Sequence, residues 1–385
     1  MQSQELNYIL GKILDAYKDA SDLNFTVGKS MQVERSGELI AIDPNIFPGI
    51  LTPYQTEMIA LNLMNNDARL LKTLLLHGAC DLSYSVPGKG RFRVNVFSKG
   101  GSYSVVMRKL EMHIPTVKDL NLPEVFLDVA KERNGIVFVT GATGMGKSTT
   151  LAAILNEINE TKAVHVITLE DPVEYQHSQK KATFNQREMG IDFDTYSNGL
   201  KAALRQAPKV ILVGEMRDYE TCETALRAAE TGHLVMSTLH SIDVASSINR
   251  LLGMFPVSEE SQIRIRVSDT LRWVISQRLV PRVGGGRAAA FEIMRSNLRV
   301  RELILKGETQ DKTFQSIMEA GTAFGMVTFD FYLAKLYQRG IISDEIAMSY
   351  ASHKGNAGRL IDQVKNARGE TTHYADMDKL EIDFR

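Results

Sequence analysis

The first 110 residues combine two patterns of apolar positions. Apolar side chains recur at helical spacing over residues 4–19, which predicts a helix there. Two further helices are predicted: the first begins at Thr52 and Pro53, and the second ends at about Leu76. Alternating apolar and polar positions predict strands between and after these helices. The predicted strands are residues 23–27, an extended pair within 31–42, and residues 81–86, 91–97 and 103–108. The pattern therefore predicts a small α+β domain over residues 1–110, followed by a linker at 111–123.

From residue 124 the pattern changes to continuous apolar strands that alternate with helices. Such alternation predicts an α/β domain with a mainly parallel sheet that is covered on both faces, and we assign it residues 124–350. The predicted strands are residues 136–140, 163–169, 210–213 and 234–239, and the predicted helices are about 149–160, 195–206 and 218–230. Next we expect a helix at about 259–279, a glycine turn at 284–286 and a strand at 288–294. Residues 351–385 are predicted to form a C-terminal helix and tail.

One strand leads into a glycine-rich loop that fits the phosphate-binding pattern G-x-x-x-x-G-K-[ST]. Glycine permits backbone angles that let successive N–H groups converge on a phosphate, and a helix is predicted directly afterwards. The alternative is a chance glycine-rich turn, which a matching strand, helix and set of fixed positions disfavour. The predicted nucleotide-binding residues are Gly141, Ala142, Thr143, Gly144, Met145, Gly146, Lys147, Ser148 and Thr149. Lys147 is expected on the β- and γ-phosphates of a nucleoside triphosphate, and Ser148 on Mg²⁺.

Acidic residues follow two of the other predicted strands. Glu170 and Asp171 end one strand, and Glu215 follows the apolar run 210–213. Ligands of parallel sheets bind at this end of the strands, so Glu170 is expected to polarise an attacking water and Glu215 to hold Mg²⁺. Taken alone, Glu170 and Asp171 fit a solvated strand end equally well. Together with the loop, the acids favour a catalytic site.

Histidines flank the predicted strand 234–239. His233 and His240 lie seven positions apart, at opposite ends, and strand direction places His240 at the phosphate end. His233 would reach that site only through neighbouring packing or from another subunit. As isolated residues, both would more often be structural than functional.

The N-terminal domain carries arginines on its strands. Arg91 and Arg93 share a face because strand side chains repeat every two residues, and Arg108 lies on another strand. One interpretation is a solvated sheet face. The other is that arginines are offered to a triphosphate held by another domain or subunit. The pattern alone leaves both open.

Composition narrows the class of protein. The chain has 385 residues, 44% hydrophobic and 24% charged, with a formal net charge of −1, so charge gives no reason to expect a nucleic-acid partner. Cys80 and Cys222 are too few for a disulfide framework or a four-cysteine zinc site. No membrane-spanning run or signal segment is evident. These features predict a cytoplasmic protein.

Four ordered sequence boxes resemble a known family. The phosphate loop at 141–148, an aspartate box at 168–175, a Walker B stretch at 210–218 and a histidine box at 231–240 are similar to those of the hexameric ATPases of type II secretion and type IV pilus systems. The resemblance runs from about residue 20 to 345. Within that family the chain resembles the pilus retraction ATPases of the PilT/PilU group.

Several details favour the PilU branch of that group. Ala142 stands where PilT usually has proline, and the stretches 185–188, 204–208, 276–281 and 325–330 look like PilU. The retraction signature usual in PilT is only approximated at 300–307. Met145 departs from the family, which usually has serine there.

The resemblance implies a fold and a set of roles. It implies a PAS-like N-terminal domain and a RecA-like P-loop NTPase domain that binds ATP and Mg²⁺. It implies that Glu170 is the catalytic glutamate, that Glu215 and Ser148 hold the metal, and that His233 and His240 belong to the catalytic site. The two remaining catalytic residues, Arg93 and Arg108, would reach nucleotide across a cleft between domains or subunits.

The resemblance also implies a biological role. We expect a homohexamer at the cytoplasmic face of the inner membrane that hydrolyses ATP and drives pilus retraction in twitching motility. Its expected partners are a paralogous retraction ATPase and the inner-membrane pilus platform protein. The alternative is an accessory ring that docks on a paralogous PilT-type motor and does little work itself. A nucleic-acid motor is disfavoured by the balanced charge.

The C-terminal residues leave two interpretations open. A short apolar stripe at Leu360, Ile361 and Val364 is followed by a mostly acidic segment, 370–385. The favoured interpretation is a flexible solvated tail, and the alternative is a docking segment for a partner ring.

Overall fold

The computed structural model describes residues 3–35, 37–110 and 113–370. The chain divides into two compact units. The first comprises the residues up to Ile114 together with Pro172–Gln176, and the second comprises Pro115–Asp171 and the residues from His177 onwards. The predictions for the acidic tail concern residues that lie, except for Glu370, outside the described part of the chain. No helix among the described residues has the length and apolar character that crossing a membrane requires.

The first unit is an antiparallel sheet with helices. Its elements are α1 (Ser3–Ala16), β1 (Asp22–Phe25), β2 (Gln32–Arg35), β3 (Glu38–Ala41), α2 (Pro53–Leu63), α3 (Ala68–His77), β4 (Ala79–Val86), β5 (Gly90–Lys99) and β6 (Ser102–Leu110). The strand order is β3-β2-β1-β6-β5-β4. In β5 the buried side chains Phe92, Val94 and Val96 alternate with more exposed ones, so only one face enters the core.

The second unit begins with the elements that carry the candidate chemistry. These are α4 (Val125–Lys131), β7 (Gly135–Thr140), α5 (Lys147–Thr161), β8 (His165–Glu170), β9 (Thr183–Glu188), α6 (Tyr196–Ala203), β10 (Val210–Val213), α7 (Tyr219–Glu230), β11 (Leu234–Leu239) and α8 (Val244–Leu252). It continues with α9 (Glu260–Thr270), β12 (Leu271–Pro281), β13 (Arg287–Arg295), α10 (Leu298–Lys306), α11 (Phe314–Ala320), α12 (Phe329–Gln338), α13 (Asp344–Ser349) and α14 (Lys354–Ala367). Short 3₁₀ turns occupy Val257–Glu259 and Thr322–Phe324.

The sheet of the second unit has seven strands in the order β13-β12-β7-β11-β10-β8-β9. All neighbours are parallel except β12 and β13, which form an antiparallel pair. Successive side chains of β7 enter different cores: Ile136 and Phe138 enter one, and Val137 and Val139 enter the other. The sheet is therefore buried on both faces, and the predicted α/β class with a mainly parallel sheet is confirmed.

The prediction of a helix at 259–279 is wrong. The helix α9 ends at Thr270, and residues 271–281 form β12, which lies inside the sheet between β7 and β13. Trp273, Val274 and Ile275 are all buried, because both faces of this strand are covered. A continuous apolar run of this kind has no alternation that would distinguish a buried strand from a buried helix. The elements α4, β9 and α8 were not predicted.

Candidate nucleotide-binding site

Four neighbouring parallel strands present candidate functional residues at one edge of the sheet. The loop 141–146 follows β7, His240 follows β11, Glu215 lies two residues beyond β10, and Glu170 is the last residue of β8. The strand registers bring these ends level, since Leu239 pairs with Thr140 and Val213 pairs with Leu169. The carboxyl ends of the four strands therefore form one site, in the place where open α/β sheets bind ligands.

The backbone of the phosphate loop requires glycine at particular positions. Gly141 has φ +147°, and a Cβ there would lie 2.5 Å from the carbonyl oxygen of Gln277. Gly146, the N-cap of α5, adopts a left-handed conformation with φ +81°. The loop thus ends at the positive end of the α5 dipole, where exposed backbone N–H groups favour an anion.

Lys147 supplies the cation of this loop. It is the first residue of α5 and is buried, and its Nζ donates to the carbonyl oxygens of Gly141 at 2.9 Å and Ala142 at 3.0 Å. These bonds hold the ammonium group across the loop. The left-handed glycines, the helix N-terminus and this cation fit a phosphate group, and Ser148 follows at the next helical position.

Glu170 is held by two donors. Its Oε1 accepts from the Thr168 hydroxyl at 2.6 Å and from the Gln186 side-chain amide at 3.2 Å. Thr168 lies on the same strand and Gln186 on the neighbouring β9, so the sheet itself orients the carboxylate. A carboxylate fixed in this way at the ligand-binding edge can act as a general base.

Glu215 lies between two basic side chains. Its Oε2 is 2.7 Å from Nε of Arg217 and 3.4 Å from Nε2 of His240, and its side chain is only 16% exposed. Burial lowers the pKa of His240, and the nearby Lys147 lowers it further. Contact with the Glu215 carboxylate acts in the opposite direction and raises this pKa. Carboxylate oxygens are ligands that Mg²⁺ prefers, so Glu215 together with Ser148 suits that metal.

Tyr196 is a site residue that the sequence did not indicate. It lies on α6, and burial raises the pKa of its phenol, with the charges of Asp171, Glu215 and Glu170 adding to the effect. Its hydroxyl would lie 2.8 Å from a Cβ at Gly214, so this glycine permits the approach. The phenol therefore keeps its proton beside these acids. No motif marks it, and Arg217 was likewise assigned no role.

His233 lies at the opposite end of β11. Its Nδ1 is 2.9 Å from the carbonyl oxygen of Ala228 and 3.2 Å from the hydroxyl of Thr231, and its own carbonyl oxygen accepts from Gly135 N at 3.0 Å. The separation of His233 from His240 agrees with the strand direction. Within the chain, the structure does not bring His233 together with the phosphate loop.

Arg93 and Arg108 lie in the first unit. They are directly opposed on β5 and β6, and their side chains are 52% and 70% exposed. Nε of Arg108 donates to Oδ1 of Asp22 at 2.9 Å, and Nε of Arg93 is 4.0 Å from Oδ1 of Asp81. The two guanidinium groups thus form an exposed pair on one sheet, and their role toward nucleotide stays a prediction.

Comparisons with known proteins agree with this geometry. Residues 82–326 match the family model described as type II/IV secretion system protein. The chain is 41% identical over 338 residues to the type IV pilus retraction ATPase PilT of Pseudomonas aeruginosa, a match that covers 87% of this chain and 95% of that protein. It is 36% identical over 345 residues to the type IV pilus ATPase PilU of the same organism, covering 89% of this chain and 88% of PilU.

A solved structure supports the same assignment. The crystal structure of the pilus retraction motor PilT with bound ADP superposes with a TM-score of 0.80 at 39% identity, and covers 90% of this chain and 97% of that one. The fold, the nucleotide-binding class and the family predictions are confirmed. The narrower preference for PilU stays a prediction, because the identity to PilT is the higher of the two. The chain is an ATPase of the type II/IV secretion system family and belongs with the type IV pilus retraction ATPases PilT and PilU.

Proposed function

We propose that this chain binds ATP with Mg²⁺ at the sheet edge and uses ATP hydrolysis to drive type IV pilus retraction. One observation carries the proposal: the phosphate loop, Glu170, Glu215 and His240 all lie at the carboxyl ends of adjacent strands. We assign to this end of the sheet a cation, a phosphate-binding loop, a general base and an acid that would hold the metal, which are the parts that phosphoryl transfer needs.

Each residue has a role in the proposed reaction. The loop N–H groups and Lys147 bind and orient the β- and γ-phosphates. Glu170, fixed by Thr168 and Gln186, accepts the proton of the attacking water. Mg²⁺, held through Ser148 and Glu215, would neutralise charge on the phosphate oxygens. His240, whose Nε2 lies 3.4 Å from Oε2 of Glu215, keeps that carboxylate in place.

The assembly is proposed from the resemblance and from the relatives. A relative of this chain is named a pilus retraction motor, and we extend that activity to a homohexamer at the cytoplasmic face of the inner membrane. Its partners would be the membrane platform protein and a paralogous retraction ATPase. The accessory-ring alternative has no specific observation in its favour and is not proposed.

Arg93 and Arg108 are proposed as catalytic partners of the bound triphosphate. Their support is the resemblance and their exposure as a cationic pair on β5 and β6. Guanidinium groups stabilise the charge that develops during phosphoryl transfer. We infer that this contribution depends on assembly. We propose that His233, which lies at the opposite end of β11 from His240, takes part in the nucleotide-binding site only through neighbouring packing or from another subunit.

The test is steady-state hydrolysis of Mg-ATP together with binding of a fluorescent ADP. Lys147→Ala should lose nucleotide binding, because the variant loses the ammonium group that crosses the loop backbone. Glu170→Gln should keep binding but slow turnover by about 10²–10⁴-fold, the usual contribution of a general base. Glu302→Gln, which neutralises an acid on α10, is the control and should hydrolyse ATP normally.

Two results would contradict the proposal. Normal hydrolysis by Lys147→Ala would remove the phosphate-loop assignment. A Glu170→Gln variant with weak binding and a normal rate at saturation would make Glu170 a binding residue.

A further inference from the structure

The strand β12 extends beyond the end of β7. Its pairing with β7 reaches Ser276, opposite Thr140, whereas its pairing with β13 continues to Pro281. Among the described strands, none pairs with residues 277–281 on the β7 side. We call these residues the β12 extension. Backbone N–H and C=O groups that no neighbouring strand pairs with need other hydrogen-bonding partners. A segment that lies beside the β12 extension can therefore be held in place by these groups.

The phosphate loop occupies that edge. The backbone N–H of Leu279 donates to Sδ of Met145 at 3.3 Å. The carbonyl oxygen of Gln277 lies so close to Gly141 that a Cβ there would be 2.5 Å away. Residues two apart in a strand direct their backbone groups to the same side. The same side of the β12 extension therefore contacts Gly141 at the start of the loop and Met145 near its end.

The side chain of Gln277 reaches the rest of the loop. It is only 4% exposed. Its Oε1 accepts from the hydroxyl of Thr150 at 2.7 Å, in the first turn of α5. Its Nε2 would lie 3.0 Å from a Cβ at Gly146, the N-cap of α5. Gln277 therefore contacts the start of the loop through its backbone, and the end of the loop and the helix through its side chain.

The residue before the loop is also fixed to β12. The hydroxyls of Thr140 and Ser276 are 2.8 Å apart, and Ser247 on α8 donates to Thr140 at 3.2 Å. These contacts are buried. The position at which β7 becomes the loop is thus set by side chains from two other elements.

We propose that Gln277 is a positioning residue that holds the phosphate loop in its nucleotide-binding shape from the β12 extension. The inference rests on the proposed nucleotide binding and adds a residue to it. A loop with glycines at 141, 144 and 146 has many accessible backbone conformations, and only those that converge the N–H groups bind phosphate. Gln277 touches no phosphate itself. It favours the binding conformation before nucleotide arrives, and such preorganisation raises affinity.

The experiment compares ADP affinity with folding stability in the full chain. Gln277→Leu keeps the size of the side chain and removes the hydrogen bond from Thr150. We expect fluorescent ADP to bind about tenfold more weakly, which corresponds to about 1.4 kcal/mol. Thr150→Val should give a similar loss, Thr150→Ser should bind as the unchanged chain does, and the double variant Gln277→Leu/Thr150→Val should be little worse than either single one.

The control variant is Trp273→Phe on the same strand. It removes a hydrogen bond from Nε1 to Oε1 of Glu132 at 2.9 Å, in a buried position that has no contact with the loop among those described. It should lower the thermal midpoint while ADP affinity stays unchanged. That separates a role in the site from a role in general stability.

Several outcomes would overturn the proposal. One is a Gln277→Leu variant with a lower thermal midpoint and unchanged ADP affinity. A second is a double variant in which the losses of ADP affinity from Gln277→Leu and Thr150→Val add fully. A third is a Trp273→Phe variant that weakens ADP binding as much as Gln277→Leu does. If Gln277→Leu does not fold, comparing the ADP affinity of Thr150→Val with that of Thr150→Ser makes the same test. Equal affinities of these two variants would overturn the proposal. If the unchanged chain binds no ADP, the proposed function fails instead.

Discussion

Glu292 is a buried carboxyl whose state depends on its surroundings. It lies on β13, only 6% exposed, and Oε1 accepts from the backbone N–H of Val244 at 2.8 Å. Burial raises its pKa to about 7; the charge of Asp243 acts in the same direction, and Arg278 opposes it. The sequence shows a strand at this position, but burial of one acid on it depends on α8 and α12, which pack there from other parts of the chain.

This pKa makes the stability of the second unit depend on pH. Between pH 4.5, the ordinary value for a glutamate, and about 7, the folded chain binds more protons than the unfolded chain, so the free energy of unfolding falls as pH rises. As the pH rises through about 7 the folded chain releases this proton, and the loss becomes complete above that range. Glu292→Gln keeps an acceptor for Val244 and should remove this loss, which makes the variant more stable by about 3 kcal/mol at pH 8. Denaturant unfolding at pH 5 and pH 8 measures it; an unchanged difference between the two pH values would contradict the assignment.

At the scale of elements, the cap of α7 connects a local sequence signal to the site. Asp218 is the N-cap, and its carboxylate accepts from the backbone N–H of Thr221 at 2.8 Å and from the Thr221 hydroxyl at 2.8 Å. It lies three residues beyond Glu215. An acid before an amphipathic run is a helix-start signal that sequence alone shows, and α7 was predicted within one residue.

Asp218→Ala should therefore destabilise the chain by about 1 kcal/mol, because the first turn of α7 loses its cap. Asp218→Asn retains an acceptor and should cost much less. Denaturant titration followed by far-ultraviolet circular dichroism checks both. Equal losses in the two variants would show that the charge of Asp218, and not its capping bond, stabilises the helix.

The strand β12 and its contacts with the phosphate loop could not be predicted from the sequence. The phosphate loop, Glu170 and Glu215 were predictable because each motif is continuous in the chain and its physical reason is local. The contact between Gln277 and Thr150 joins residues 127 positions apart, and nothing near either residue indicates the other. Residues 271–279 were mistaken for a helix for the same reason: their strand character comes from β7 and β13 on either side.

At the scale of the whole molecule, two units each bury their own core. The first contains Arg93 and Arg108, and the second contains the loop and both glutamates. The change from alternating to continuous apolar strands predicts two domains with this distribution of residues. The proposed action of the two arginines on a bound triphosphate must be tested in the assembled protein.

Mixing two inactive variants tests that action. Arg93→Ala should retain nucleotide affinity and lose turnover, and Glu170→Gln should do the same. If Arg93 acts between subunits, some interfaces in a mixed assembly pair an intact arginine with an intact glutamate, and partial ATPase activity returns. Steady-state hydrolysis across mixing ratios measures this. Activity that stays at the level of the separate variants after subunit exchange would place Arg93 within its own chain or outside the reaction.

The position of β12 also bears on how the protein is made. During synthesis the phosphate loop emerges well before the strand that holds it, since Gln277 follows Thr150 by 127 residues. At typical translation rates that delay is on the order of ten seconds. A nascent chain that ends before β12 carries the whole motif but lacks the edge that shapes it. The ribosome-bound chain therefore gains its nucleotide affinity late, after the first unit has had time to fold.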